Sequence, residues 1–131
     1  MDKVIIDTSA WIDSFRSKTD KSFSLLVKDL ILKNRVLMPG IIQTELLRGT
    51  KTKSEFNRLS DLLKGITYLP VAEEFWDHLS EFSYQLFRKG ISAPLTDTYI
   101  ALLCIENNAP LLHHDKHFDL IAKKTSLKII K

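Results

Sequence analysis

The sequence predicts an α/β domain in which a mostly parallel sheet of four to five strands carries helices on both faces. Short aliphatic, partly β-branched runs recur along the chain, at Val4-Ile5-Ile6, Val36-Leu37-Met38, Ile66-Thr67-Tyr68-Leu69 and Leu111-Leu112. Between them lie segments whose apolar residues return at helical spacing. Strands that alternate with helices need crossover connections, and crossovers leave the strands parallel. The length sets the scale: 131 residues, 44% hydrophobic and 27% charged, fill one core and not two, so residues 1–131 are expected to form a single domain.

Val4-Ile5-Ile6 ends at Asp7-Thr8-Ser9, which reads as a buried strand feeding a helix that carries Trp11, Ile12 and Phe15. Phe23, Leu26, Val27, Leu30 and Ile31 mark a second helix, closed by Lys33-Asn34-Arg35 before the Val36 strand. Pro39-Gly40 is a turn signal. In the helix that follows, Ile42, Leu46 and Gly49 share one side and Ile41, Glu45 and Arg48 another, which places Glu45 in mid-helix. Phe56, Leu59 and Leu63 indicate a further helix, and the Ile66–Leu69 strand stops at Pro70. Phe75, Leu79, Phe82 and Leu86 define a long amphipathic helix running to Arg88-Lys89-Gly90. After Ile91-Ser92-Ala93-Pro94 a helix opens at Thr96, with Asp97 in its first turn and Ile100, Ala101, Cys104 and Ile105 in register. Leu111-Leu112 forms a strand, Phe118, Ile121 and Ala122 a last short helix, and Leu127–Ile130 a final edge strand. Neither an internal repeat nor a low-complexity segment is visible.

A net charge of +3 and a pI near 9.0 give a mildly basic surface suited to a polyanion. The single cysteine, Cys104, excludes an intrachain disulfide and a multi-cysteine metal site, and its apolar helical setting reads as core packing. The apolar run at the start is far shorter than a signal-peptide core, and no later run reaches membrane-spanning length. A cytoplasmic protein with no membrane association is expected.

In open parallel sheets ligands bind beyond the carboxyl ends of the strands, and acidic residues gather there. Asp7 follows the first strand directly; an N-cap would explain it, but Thr8 and Ser9 are available for that task. Glu45 can pair with Arg48 one turn on, yet it sits among Ile41, Ile42, Leu46 and Leu47, where a solvated glutamate is out of place. Asp97 gains from its helix dipole, and Asp115, beyond Leu111-Leu112-His113-His114, has the same explanation open to it. Asp119 lies one turn further and reads as solvated. Taken singly, each carboxylate has an ordinary role; jointly they stand at one sheet edge, where their mutual repulsion calls for a cation. An all-oxygen donor set selects Mg²⁺ or Mn²⁺ over Zn²⁺.

These residues resemble the PIN-domain ribonucleases, in particular the compact VapC-type toxins of prokaryotic toxin–antitoxin pairs. The resemblance spans nearly the whole chain. It rests on Val4-Ile5-Ile6-Asp7-Thr8-Ser9, on Glu45-Leu46 with Gly49, on Gly90 through Asp97-Thr98-Tyr99-Ile100-Ala101, and on Leu111-Leu112 leading to Asp115-Lys116-His117-Phe118. It implies a PIN-like sheet between helices, a Mg²⁺- or Mn²⁺-binding pocket formed by Asp7, Glu45, Asp97 and Asp115, and hydrolysis of RNA phosphodiesters. It also implies a cognate antitoxin and a homodimer. Ser9 matches a small polar position beside the first aspartate; Thr96, His113, Asp119 and Arg48 are candidate neighbours of the acidic set or of substrate. The chain departs from the family at His113, where a hydroxyl residue is common.

Three other readings compete. A non-catalytic RNA- or protein-binding module on the same fold would be favoured by loss of an acidic position, and none is lost. A phosphoacceptor domain needs a carboxylate where the third strand ends, and Tyr68-Leu69-Pro70 has none. Zinc bound by His113, His114 and His117 with Asp115 lacks an HExxH spacing, and adjacent histidines after a strand point to opposite sides. Arg16, Arg48, Lys51, Lys53, Arg88, Lys89 and Lys116 are the basic residues available to an RNA backbone.

Overall fold

A computed structural model describes residues 2–16 and 21–130. Four strands and seven helices lie among them, in the order β1 (Val4–Ile6), α1 (Thr8–Arg16), α2 (Ser22–Leu32), β2 (Val36–Pro39), α3 (Gly40–Arg48), α4 (Lys53–Lys64), β3 (Thr67–Leu69), α5 (Phe75–Arg88), α6 (Leu95–Glu106), β4 (Leu111–Leu112) and α7 (Lys116–Lys124). The sheet runs β3-β2-β1-β4, and every pairing is parallel, with Val4 opposite Val36, Ile6 opposite Leu112 and Met38 opposite Tyr68. The α/β fold read from the alternation of runs is the observed one.

The central strand β1 is buried at all three positions, as a parallel strand covered on both faces must be. The edge strand β3 is polar and largely exposed, which blunts the unpaired edge. From β1 the chain steps to β2 and β3 on one side, then crosses back to β4 on the other. Right-handed crossovers place α1 to α4 on one face and α5 and α6 on the opposite one. The packing agrees: α1 packs on α2 and α3, and α3 on α4, whereas α5 packs on α6 and α6 on α7. Trp11, Ile5, Ile6, Ile100, Leu111 and Phe118 lie in the fully buried centre. Cys104 is buried there as well, and burial pushes its thiol up, away from the reactive thiolate.

Two local expectations need correction. Pro39-Gly40 is no turn: Pro39 closes β2, paired with Leu69, and Gly40 opens α3. A proline without a free N–H suits both a strand end and a helix N-terminus. The expected strand at Leu127–Ile130 is a single parallel bridge between Leu111 and Ile129, flanked by hydrogen bonds from Leu111 N to Lys128 O at 2.9 Å and from Ile130 N to Leu111 O at 2.9 Å. β4 itself holds only two residues, too few to template a longer partner.

The topology fixes where a site can form. Connections leave β1 toward β2 and reach β4 from the other face, so the sheet's switch point lies between β1 and β4. Asp7 leaves the end of β1 and Asp115 the loop after β4.

Candidate metal centre

Asp7 is buried, with 5% of its surface exposed. Its Oδ2 accepts hydrogen bonds from Ser9 N at 3.0 Å and Ser9 Oγ at 2.5 Å. Asp7 therefore caps α1 itself, contrary to the expectation that Thr8 and Ser9 leave it free of that task. The side chain one position before the helix reaches the second N–H, and Thr8 and Ser9 are consumed elsewhere. Ser9 Oγ accepts from His114 N at 3.0 Å, which ties the first turn of α1 to the loop after β4. Thr8 Oγ1 donates to Glu45 Oε1 at 2.7 Å. This bond holds Glu45 against the start of α1, and no ion pair to Arg48 exists among the described residues; Arg48 is exposed at the end of α3.

Asp97 enters from the opposite face, in the first turn of α6. Its Oδ2 is buried without a hydrogen-bond partner. Burial, reinforced by the charges of Asp115, Asp7 and Glu45 and opposed by His117, pushes its carboxyl up to about 6. Each of the other three carboxylates is thus felt at Asp97, while the donor atoms that share one close space are those of Asp97, Asp115 and His117. Thr96 is partly buried beside Asp97; no side-chain hydrogen bond from it reaches the cluster.

Asp115 caps α7 through a hydrogen bond from His117 N to Oδ1 at 3.0 Å. Its own N–H donates to His113 Nδ1 at 3.0 Å. That ring nitrogen must be unprotonated, so His113 carries its hydrogen on Nε2, 3.3 Å from Asp119 Oδ1. His113, with a side chain only 6% exposed and packed against Phe118 at 5.2 Å, thereby supplies the acceptor that a hydroxyl residue would have supplied. Asp119 is 61% exposed and serves His113 rather than the acidic cluster. His114 points the other way, to solvent, where it pairs with Asp13 and stacks on Phe23. The alternation expected of adjacent histidines is what the chain shows.

The residue that sequence reasoning underweighted is His117. Its Nδ1 lies 2.9 Å from Asp115 Oδ1 and 3.3 Å from Asp97 Oδ2. Asp97, Asp115 and His117 can each direct one donor atom into a common space. The available signal was the Asp-Lys-His spacing, in which an aspartate cap lets the side chain two positions on fold back over it. A cation fits this centre: it is rich in carboxylate oxygen, one oxygen is buried and unpaired, and burial together with the neighbouring carboxylates raises Asp97. A groove of about 770 Å³ adjoins it, lined by Ile12, Phe15, Arg16, Glu45, Arg58 and Leu62 among others.

By fold and site this is an α/β protein whose parallel sheet carries an acidic cluster at its switch point, compatible with a bound cation. The PIN domain family matches residues 4–124, and the chain belongs to that family. It is 30% identical to the VapC ribonuclease Mb1587 of Mycobacterium bovis over 129 residues, covering 95% of this chain and 96% of that protein. Ribonuclease VapC11 of Mycobacterium tuberculosis matches to the same extent. Among solved structures, VapBC2 from Rickettsia felis, bound to a DNA fragment from its promoter, superposes with a TM-score of 0.78 at 21% identity, covering 97% of this chain and 96% of that one. The family resemblance read from segments 4–9, 45–49, 90–101 and 111–118 is thus to the right family. No helix among the described residues is long and apolar enough to cross a membrane.

Proposed function

We propose that this protein is a metal-dependent ribonuclease, the toxin of a toxin–antitoxin pair, with Asp7, Glu45, Asp97 and Asp115 as its active site. The observation that carries the reading is the convergence of these carboxylates on Asp97, raised to about 6. A buried carboxyl with three further carboxylates acting on it is an arrangement that suits a cation, and the relatives 30% identical over nearly the full chain are named as ribonucleases. We take residues 1–131 as one nuclease domain acting in the cytoplasm.

Asp7, Asp97 and Asp115 would hold a divalent ion, Mg²⁺ or Mn²⁺, which supplies a readily deprotonated water and neutralises charge on the scissile phosphate. The chain's own residues do the positioning. Ser9 fixes one oxygen of Asp7 and leaves Oδ1 free to face the cluster. Thr8 holds Oε1 of Glu45, leaving Oε2 to orient a water or take its proton. His113 locks the backbone of Asp115 and so the direction of its carboxylate. Burial of Asp7 and partial burial of Asp97 lower the local dielectric, which strengthens the charge interactions there. Arg16 and Arg58 flank the groove beside Glu45 and supply positive charge for an RNA backbone.

The same groove exposes Ile12, Phe15 and Leu62, an apolar surface next to the acidic cluster. We assign it to the antitoxin, whose binding there would also block Glu45. The structural neighbours include VapBC toxin–antitoxin complexes, and a homodimer of the toxin is part of the same proposal.

Incubation of antitoxin-free protein with mixed RNA in Mg²⁺, Mn²⁺ or EDTA, alongside Asp7→Asn, tests the reading. Cleavage that needs the metal and is lost in the variant is expected. Intact RNA in every condition would favour the non-catalytic binding module.

A further inference from the structure

We infer that His117 is a direct ligand of the bound cation, through Nδ1, alongside Asp97 and Asp115, and that it shifts the centre from Mg²⁺ toward a first-row transition ion. This rests on the metal-site reading above and adds to it a nitrogen donor that the four acidic positions do not contain.

The geometry is specific. Nδ1 of His117 lies 2.9 Å from Asp115 Oδ1 and 3.3 Å from Asp97 Oδ2. Neither approach has hydrogen-bond geometry: Nδ1 of His117 and Oδ2 of Asp97 are both buried polar atoms without a hydrogen-bond partner. With its hydrogen on Nε2 the ring would turn a lone pair toward two carboxylate oxygens, and two buried polar atoms without partners in one small space leave their lost hydration uncompensated. A cation among the three donors removes all of these penalties together. The spacings also match: adjacent donors of an octahedron with bonds of about 2.1 Å stand roughly 3.0 Å apart.

The ring is held for this task by its place in the chain. His117 lies in the first turn of α7, and its own backbone N–H is bonded to the Asp115 carboxylate beside which the ring sits. The two ligands are therefore fixed to each other before any ion arrives. Oxygen-only sites suit Mg²⁺, whereas imidazole favours transition ions over it. Asp97 and Asp115 with a single imidazole make a mixed donor set, of a kind that Mn²⁺ accepts.

The test uses the full chain with Mn²⁺ as probe, read by electron paramagnetic resonance of free and bound ion and by pulsed detection of directly bound ¹⁴N. The wild type should show one imidazole nitrogen on Mn²⁺, absent in both His117→Gln and His117→Asn. Mn²⁺ affinity should fall on the order of tenfold in these variants, and Mg²⁺ affinity less. Asp97→Asn serves as the control for the site itself. Binding of Mn²⁺ that depends on Asp97 but lacks a nitrogen signal, or keeps it without His117, would overturn the ligand assignment and leave the acidic site standing. Binding indifferent to Asp97 would overturn both.

Discussion

Thr8 donates its hydroxyl to Glu45 across 2.7 Å, joining residues 37 positions apart in the chain. The bond fastens the start of α1 to the middle of α3 and presents Glu45 to the acidic cluster at a fixed angle. Thr8→Val keeps the shape and removes the donor. A hydrogen bond to a charged group contributes about 1.5–3 kcal/mol, so cleavage should slow by about tenfold or more, with little change in secondary structure by circular dichroism. Thr8→Ser should restore most of the rate.

Asp7 both caps α1 and faces the cluster, and the two roles are separable. Asn is as good a cap as Asp, whereas Ala is not. Asp7→Asn should therefore melt close to the wild type while losing RNA cleavage, and Asp7→Ala should lose cleavage and about 1 kcal/mol of stability besides. Thermal melts of the two variants in EDTA distinguish the roles.

The raised carboxyl of Asp97 sets a pH dependence. Its folded value of about 6 exceeds the ordinary 3.8, so the folded chain binds this proton more tightly than the unfolded one. The stability it contributes is complete below about 3.8 and is lost as pH rises through 6. Metal-free Asp97→Asn should accordingly be more stable than the wild type at pH 7.5. After discounting for solvent screening, about 1 kcal/mol corresponds to roughly 2–4 °C in melting temperature. Added Mn²⁺ should reverse the order, because only the wild type holds the ion.

Proton and metal compete for the same carboxylate. Wild-type Mn²⁺ affinity should fall about tenfold between pH 7 and pH 5, as Asp97 takes up its proton. Calorimetric titration at the two pH values, with proton release followed through buffers of different ionisation heat, checks this.

His113 is a structural substitute, and its loss should be felt as such. His113→Ala removes the acceptor of the Asp115 N–H and opens space against Phe118, for a cost of about 2–4 kcal/mol. Asp119→Ala, on an exposed side chain, should cost under about 1 kcal/mol. Urea melts of both variants measure the difference.

The sequence alone made the alternation of strands and helices legible, because Val4–Ile6 and Leu111-Leu112 are short buried runs bounded by helical periodicity. It also made the acidic set legible, since strand-end carboxylates at a parallel sheet edge have few places to go. Side-chain partnerships were not legible. Whether Asp7 or Thr8 caps α1 turns on a choice among three polar residues that the fold decides. The pairing of His113 with Asp119, and the fold-back of His117 onto Asp115, depend on rotamers set by the buried surroundings of Phe118 and Asp97. The strand expected at Leu127–Ile130 failed because its partner, β4, is only two residues long, a limit that hydrophobic pattern does not carry.

The most direct measurement is the rate of cleavage of a fluorogenic RNA as Mn²⁺ is titrated into metal-stripped wild type and Asp97→Asn. The wild type should rise from no activity in EDTA to a saturating rate, and Asp97→Asn should remain at least about 100-fold slower at every concentration. Equal rates in the two proteins, or full activity in EDTA, would contradict an active site built on these carboxylates.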